Sequence, residues 1–140
     1  MIESTFNPED CARRQLVALP HGIHTSVFHP VSDSSKRAVF RNDLQFNGPV
    51  IDEHEKIIGI VATNQTRKDY GMAIAALAEV SKEVPIRVFI QIDDLGRHWS
   101  IPKLLIDYKL IHKSIVNSGI VSDDVMAKLY SACDLTLGIG

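Results

Sequence analysis

The sequence predicts an α/β domain built on a parallel sheet with helices on both faces. Three observations carry that expectation. KIIGIVA (56–62) and IRVFIQI (86–92) are nearly continuous apolar runs, the pattern of strands buried on both faces of a parallel sheet. Amphipathic stretches separate them, and Pro85 ends the first of these. Strand and helix then alternate to the end of the chain, and each right-handed crossover must bury its helix against the sheet.

The elements follow in order. Lys56 to Ala62 is the first strand, and the polar turn TNQTRKD follows it. A helix is expected from about Asp69 to Glu83, because Ala73, Leu77, Val80 and Val84 recur at helical spacing. Ile86 to Ile92 is the second strand, closed by Asp93 and Asp94. Ile101 to Leu110 reads as a helix, with Pro102 in its first turn. IHKSIVNSGIV is a weaker third strand ending near Gly119. Ser122 is placed to cap a helix running through Ala132, with Asp123 and Asp124 at its positive end. DLTLGIG then begins a further strand. Before residue 55 the pattern is irregular: a short strand at Leu16 to Leu19, a linker, and a loose segment over 31–49 with one helical turn near Lys36 to Phe40. The whole is a Rossmann-like domain.

Composition narrows the function classes. Hydrophobic residues at 45% and charged residues at 23% suit a globular chain rather than a disordered one. The net charge of −2 offers no basic footprint for nucleic acid, so none is expected as a partner. No apolar run approaches the roughly 20 residues of a membrane span, and MIESTFNPED lacks the basic and apolar stretches of a signal peptide. A cytoplasmic location is expected. Cys11 and Cys133 form no paired motif, so no disulfide is expected, and Cys133 reads as a small core residue. His21, His24 and His29 lie close together but lack a carboxylate or thiolate partner, so no metal is expected.

In open α/β sheets ligands bind beyond the carboxyl ends of the strands. The loop after the first strand places Arg67 and Lys68 at a helix start, where peptide N–H groups, the helix dipole and two cations suit a phosphate. The same pair also reads as solvated surface cations. Neither GxGxxG nor GxxxxGK(S/T) occurs, which removes support from dehydrogenase and P-loop readings. Asp93 and Asp94 read as a turn rather than a metal site, Trp99 either as a stacking surface or as cover for the sheet edge, and Asp134 as a turn residue.

Three segments add a resemblance. Pro20, Gly22, Ile23, Phe28 and Pro30 match the interdomain Pro-x-Gly-x-Asp-x-x-x-Phe-x-Pro pattern of family-four retaining glycosyltransferases of the GT-B fold, with His24 where Asp is usual. IGIVATNQTRKDYGMAIAALAEV is similar to that family's first donor-domain strand, loop and helix, and SGIVSDDVMAKLYSACDLTL to its Gly-x-Val segment. The matches keep their order over about 120 residues. The resemblance implies three parts: 1–30, the end of an N-terminal domain and the interdomain linker; 31–54, a connecting segment; and 55–140, part of the GT-B C-terminal donor-binding domain.

It further implies a hexosyltransferase-type enzyme that takes sugar from a nucleoside-diphosphate sugar with retention. The acceptor (sugar, lipid or protein) would be held by an N-terminal domain, and the full-length protein could sit peripherally at a membrane. No cofactor beyond that donor is implied. Lys68 matches the phosphate-binding Lys, and Thr63 stands where the family has Arg, so Arg67 is the candidate replacement. Asn64 completes the diphosphate loop, and Asp69 replaces a usual Gly. Ile120 and Val121 match the base-contacting turn, and the family's paired catalytic glutamates would fall beyond Gly140. The chain is therefore expected to transfer no sugar unaided. Two rivals stay open: a nucleotide-binding or regulatory module without transfer chemistry, and a flavodoxin-like interaction domain.

Overall fold

The computed structural model describes residues 22–44 and 51–140. Four parallel strands, β1 (Lys56–Val61), β2 (Ile86–Ile92), β3 (Ser114–Ser118) and β4 (Leu135–Leu137), form one sheet in the order β3-β2-β1-β4. The helices are α1 (Ser34–Leu44), α2 (Tyr70–Val80), α3 (Ile101–Asp107) and α4 (Asp123–Ala132), and one 3-10 turn (Ile111–Lys113) precedes β3. The expected α/β sheet with helices on both faces is what the chain forms.

Handedness explains which face each helix takes. From β1 to β2 to β3 the chain steps one way across the sheet, and from β3 to β4 it steps back past β1. Right-handed crossovers in opposite directions place their helices on opposite faces. The two core clusters agree. Ile58, Ile60, Val88 and Ile90 pack with Ile74 and Leu77 of α2 and with Ile101 and Leu105 of α3. Ile57, Phe89 and Ile115 pack with Ala132, Cys133 and Leu44 on the other side. Alternate residues of β1 and β2 thus serve opposite cores, which is why both strands read as unbroken apolar runs. Gly59 faces Cys133 so closely that an added Cβ would lie 2.7 Å from Sγ, a close approach only glycine allows.

Most sequence-predicted elements stand with trimmed ends. Asp69 is the N-cap of α2, accepting from Met72 N at 2.9 Å, and Ser122 caps α4 through Val125 N at 3.4 Å. The Leu16 to Leu19 strand lies outside the described residues. One expectation is corrected. Residues 34–44 form a full helix rather than a single turn in a loose segment. Its sequence, SSKRAVFRNDL, is mostly polar, so no apolar stripe advertises it. It is held instead by Arg37 and Arg41, which reach the carbonyls of Ser131, Cys133 and Ala132 and clasp Asp134 from the far end of the chain.

Helix α3 also ends earlier than expected. Lys109 adopts φ 59° and donates its N–H to Ile106 O, and Leu110 N bonds to Leu105 O at 2.8 Å. This is a Schellman ending, with buried Leu105 and Leu110 supplying its apolar contact. A lysine occupies the left-handed position where glycine is favoured. Lys109→Gly is therefore expected to raise stability by about 1 kcal/mol in urea unfolding. A loss of stability would show that the Lys109 side chain matters to the fold more than its strained backbone does.

No helix among the described residues is long and apolar enough to cross a membrane. Among the described residues no group of three His, Cys, Asp or Glu is placed to hold a metal ion. Cys133 is a free thiol inside the core, pushed up to about 11 by burial and by Asp134 beside it. It is a packing residue, not a nucleophile.

Candidate functional site

The order β3-β2-β1-β4 puts the topological switch point between β1 and β4, because the chain leaves β1 toward β2 while β4 joins its other side. Four segments gather beyond the carboxyl ends of the strands: 62–69 after β1, 93–100 after β2, 119–121 after β3 and 138–140 after β4.

Asn64 organises the first two. Its side chain is wholly buried. Its amide donates to Asp94 O and Trp99 O, each at 2.8 Å, and its carbonyl accepts from Trp99 N at 2.9 Å. Its backbone N–H donates to Asp93 Oδ1 at 2.6 Å. That hydrogen bond leads the causes that hold the Asp93 carboxyl below the usual carboxylate range, with exposed Arg97 adding a little. Asn64, which the sequence places in the diphosphate loop, ties that loop to the segment after β2. All its side-chain bonding capacity toward the loops is already spent, so its part is to fix the loop that carries Lys68.

The neighbouring contacts serve the same end. Tyr70, fully buried, donates its hydroxyl to Ala62 O at 2.7 Å. Burial, with Asp93 nearby, pushes its pKa up to about 12, so it stays a donor at neutral pH. Trp99 packs against the α2–α3 core and donates Nε1–H to Gln65 O, and a side chain at Gly71 would meet its ring at 3.1 Å. The indole thus covers the sheet edge. Thr66 Oγ1 and His98 Nδ1 pair at 3.2 Å across the two loops.

Lys68 lies at the switch point. Its Nζ donates to Ile139 O at 2.7 Å and, at the limit of a hydrogen bond, to Gly140 O at 3.4 Å. Gly140, at φ 82°, passes so close to the Arg67 carbonyl that any side chain there would collide with it. Arg67 is exposed and turned back along its own loop, Nε to Gln65 Oε1 at 3.1 Å. The structure therefore separates the two cations that the sequence grouped. Thr63 is exposed at the start of the loop, its carbonyl accepting from Gln65 N. The helix start is already closed by the Asp69 carboxylate, which satisfies Met72 N. An anion would meet Lys68 beside β4 rather than a bare helix terminus.

Ile120 and Val121 follow Gly119, whose φ of 105° makes the sharp bend after β3. Ile120 is 98% exposed, an unusual place for a branched apolar side chain. β1 and β3 are two strands apart, so this turn and the Lys68 loop are separated by about two strand spacings, roughly 10 Å.

Two features escaped the sequence reading. Gln91 is a polar residue in an otherwise apolar strand, a signal visible in IRVFIQI, and it bonds the β3 turn. The Arg37–Arg41–Asp134 clasp spans more than 90 residues and has no local signature. Asp134 also accepts from Ile57 N at 2.8 Å, so it joins α1, β1 and β4. Partial burial opposes its ionisation, but the Ile57 N–H, Arg41 and Arg37 outweigh that and lower its pKa from 3.8. A carboxyl with a lowered folded pKa stabilises the fold above its unfolded pKa, and this contribution is lost as pH falls through the folded value. Asp134→Asn is thus expected to lower Tm at neutral pH and to flatten the fall in Tm below about pH 4, leaving the slope from Asp93. Parallel melting curves of wild type and variant on the acid side would refute this assignment.

No protein-family model matches the chain, and no curated protein sequence matches it. Solved structures do. The chain is similar to the C-terminal domain of a glycosyl transferase group 1 family protein, LpcC, from Francisella tularensis, with a TM-score of 0.62 at 20% identity. The match covers 82% of this chain and 57% of that one, so this chain spans little more than half the length of its structural relative. The chain has the Rossmann-like fold of a glycosyltransferase C-terminal domain.

Proposed function

We propose that the chain is the donor-binding part of a glycosyltransferase, of hexosyltransferase type, that takes sugar from a nucleoside-diphosphate sugar with retention. The observation that supports this most is the position of Lys68 at the switch point of a sheet whose fold is that of a glycosyltransferase C-terminal domain. In this reading Lys68 neutralises the diphosphate as it leaves, an electrostatic contribution to the transition state. Its ammonium has three donors, and the 3.4 Å contact to Gly140 O is weak enough to be exchanged for a phosphate oxygen. Ile120 and Val121 receive the base, with the exposed Ile120 side chain offering an apolar surface to it. The acceptor is bound by another part of the full-length protein, which works in the cytoplasm.

Isothermal titration with UDP, GDP and ADP tests the reading, and one of them is expected to be preferred. No heat at millimolar concentration from a folded sample would overturn it. Lys68→Ala is expected to weaken diphosphate binding by about 1.5–3 kcal/mol, the range for a charge-assisted hydrogen bond, and to leave the bare nucleoside unaffected. Arg67→Ala, whose guanidinium turns back to Gln65, is expected to cost far less. Equal weakening of nucleoside and diphosphate by Lys68→Ala would remove Lys68 from the phosphate site.

A further inference from the structure

The turn at 119–121 is not self-supporting. Gly119 donates its N–H to Ile92 O at 2.8 Å and accepts Gln91 Nε2–H on its carbonyl at 2.8 Å. Gln91 is 3% exposed, and its own carbonyl accepts from Asn117 Nδ2 at 2.6 Å. Both side-chain ends of Gln91 are thus committed to the last residues of β3 and the bend after it. Such a polar side chain inside a buried parallel strand is costly unless its bonds are made, and here one is made to the end of β3 and the other to the bend that follows it. Beyond the bend, the backbone N–H and C=O groups of Ile120 and Val121 have no partner among the described residues. The turn therefore presents a short row of open peptide groups beside an exposed apolar side chain, and Gln91 sets the direction in which they point.

Resting on the nucleotide reading above, we infer that Gln91, aided by Asn117, is a positioning residue for base recognition: it holds the Gly119–Val121 turn so that its peptide groups can read a nucleobase edge. The carbonyl of Gly119 is withdrawn from the ligand by its bond to Gln91, which leaves Ile120 and Val121 to supply the donors and acceptors. Discrimination among bases then comes from a fixed backbone rather than from side chains. Fixed peptide groups reject a base whose edge leaves them unpaired.

The test compares wild type with Gln91→Met, which keeps the volume and removes both hydrogen bonds, and with Asn117→Ala, which sits at the exposed strand end and removes one. Each is titrated with inorganic pyrophosphate and with UDP, GDP and ADP, and its Tm is recorded. Gln91→Met is expected to bind the preferred nucleoside diphosphate about tenfold more weakly and to narrow the preference among the three bases. Its pyrophosphate affinity should stay at the wild-type value, because Lys68 lies two strands away. Asn117→Ala is expected to shift binding the same way by a smaller factor, which keeps the test decisive if Gln91→Met folds poorly. Unchanged affinity and base preference in both variants would overturn the positioning role while leaving the nucleotide reading intact. A parallel loss of pyrophosphate and nucleotide binding would also overturn it, marking Gln91 as a general structural residue. If wild type binds no nucleoside diphosphate, the underlying reading fails, and this inference with it.

Discussion

Asn64→Ala is expected to destabilise the protein by about 3 kcal/mol and to abolish measurable nucleotide binding. Truncation leaves Trp99 N, Trp99 O and Asp94 O without the partner that Asn64 supplies, and each orphaned buried group costs about 1–3 kcal/mol. The sum is held below the maximum because the loops lie at the surface and water can reach part of the gap. The loop bearing Lys68 would then lose its tie to the loop after β2. Asn64→Asp should be little better, since a carboxylate cannot donate to Asp94 O or Trp99 O and would sit beside the Asp93 carboxylate. Urea unfolding measures the first effect and nucleotide titration the second, while amide exchange over 62–69 and 93–100 reports the loosened loops. A variant with wild-type stability and protected loops would show that the Asn64 network is incidental.

The second large effect is expected at the opposite edge of the sheet. Arg87, at the start of β2, is buried and forms a two-pronged pair with Glu55, Nη2 to Oε2 at 2.7 Å and Nε to Oε2 at 3.2 Å, while Nη1 donates to His112 O at 2.9 Å. Removing one partner of a buried pair strands the other charge, so Glu55→Ala should cost about 3–5 kcal/mol. Replacing both by apolar residues of similar volume, as in Glu55→Leu with Arg87→Met, should recover much of that loss, though His112 O then loses its donor. A double variant as unstable as Glu55→Ala would show that the pair holds the β2 entry by more than its charges. Neither residue is near the carboxyl edge, so nucleotide affinity per folded molecule should be unchanged by either substitution.

The parts of the fold that were legible in the sequence share one property: their signal is local. β1 and β2 announced themselves because both their faces are buried. The capping residue Ser122 was legible because a side chain bonding three residues onward leaves a short-range mark. The same locality located the loops at the carboxyl edge and the Arg67 and Lys68 pair in the first of them. Helix α1 was missed because its stabilisation comes from Arg37 and Arg41 gripping residues more than 90 positions away. The last turn of α3 was overextended because a lysine holds the left-handed position that glycine usually marks.

At the candidate site the division is sharper. Residue types and periodicity established an alternating α/β chain, its strand ends, and a cation beside the start of a helix. Which cation serves the switch point was decided by tertiary packing: β4 inserts on the far side of β1 and draws Lys68 to the Ile139 carbonyl, while Arg67 folds back on Gln65. Packing likewise made Asn64 a buried tie between two loops, and made Gln91, a single polar letter in an apolar strand, the support of the β3 turn. The physical reason is common to all three. A side chain's hydrogen-bond capacity is finite, and which partners claim it depends on strands adjacent in space but distant in sequence.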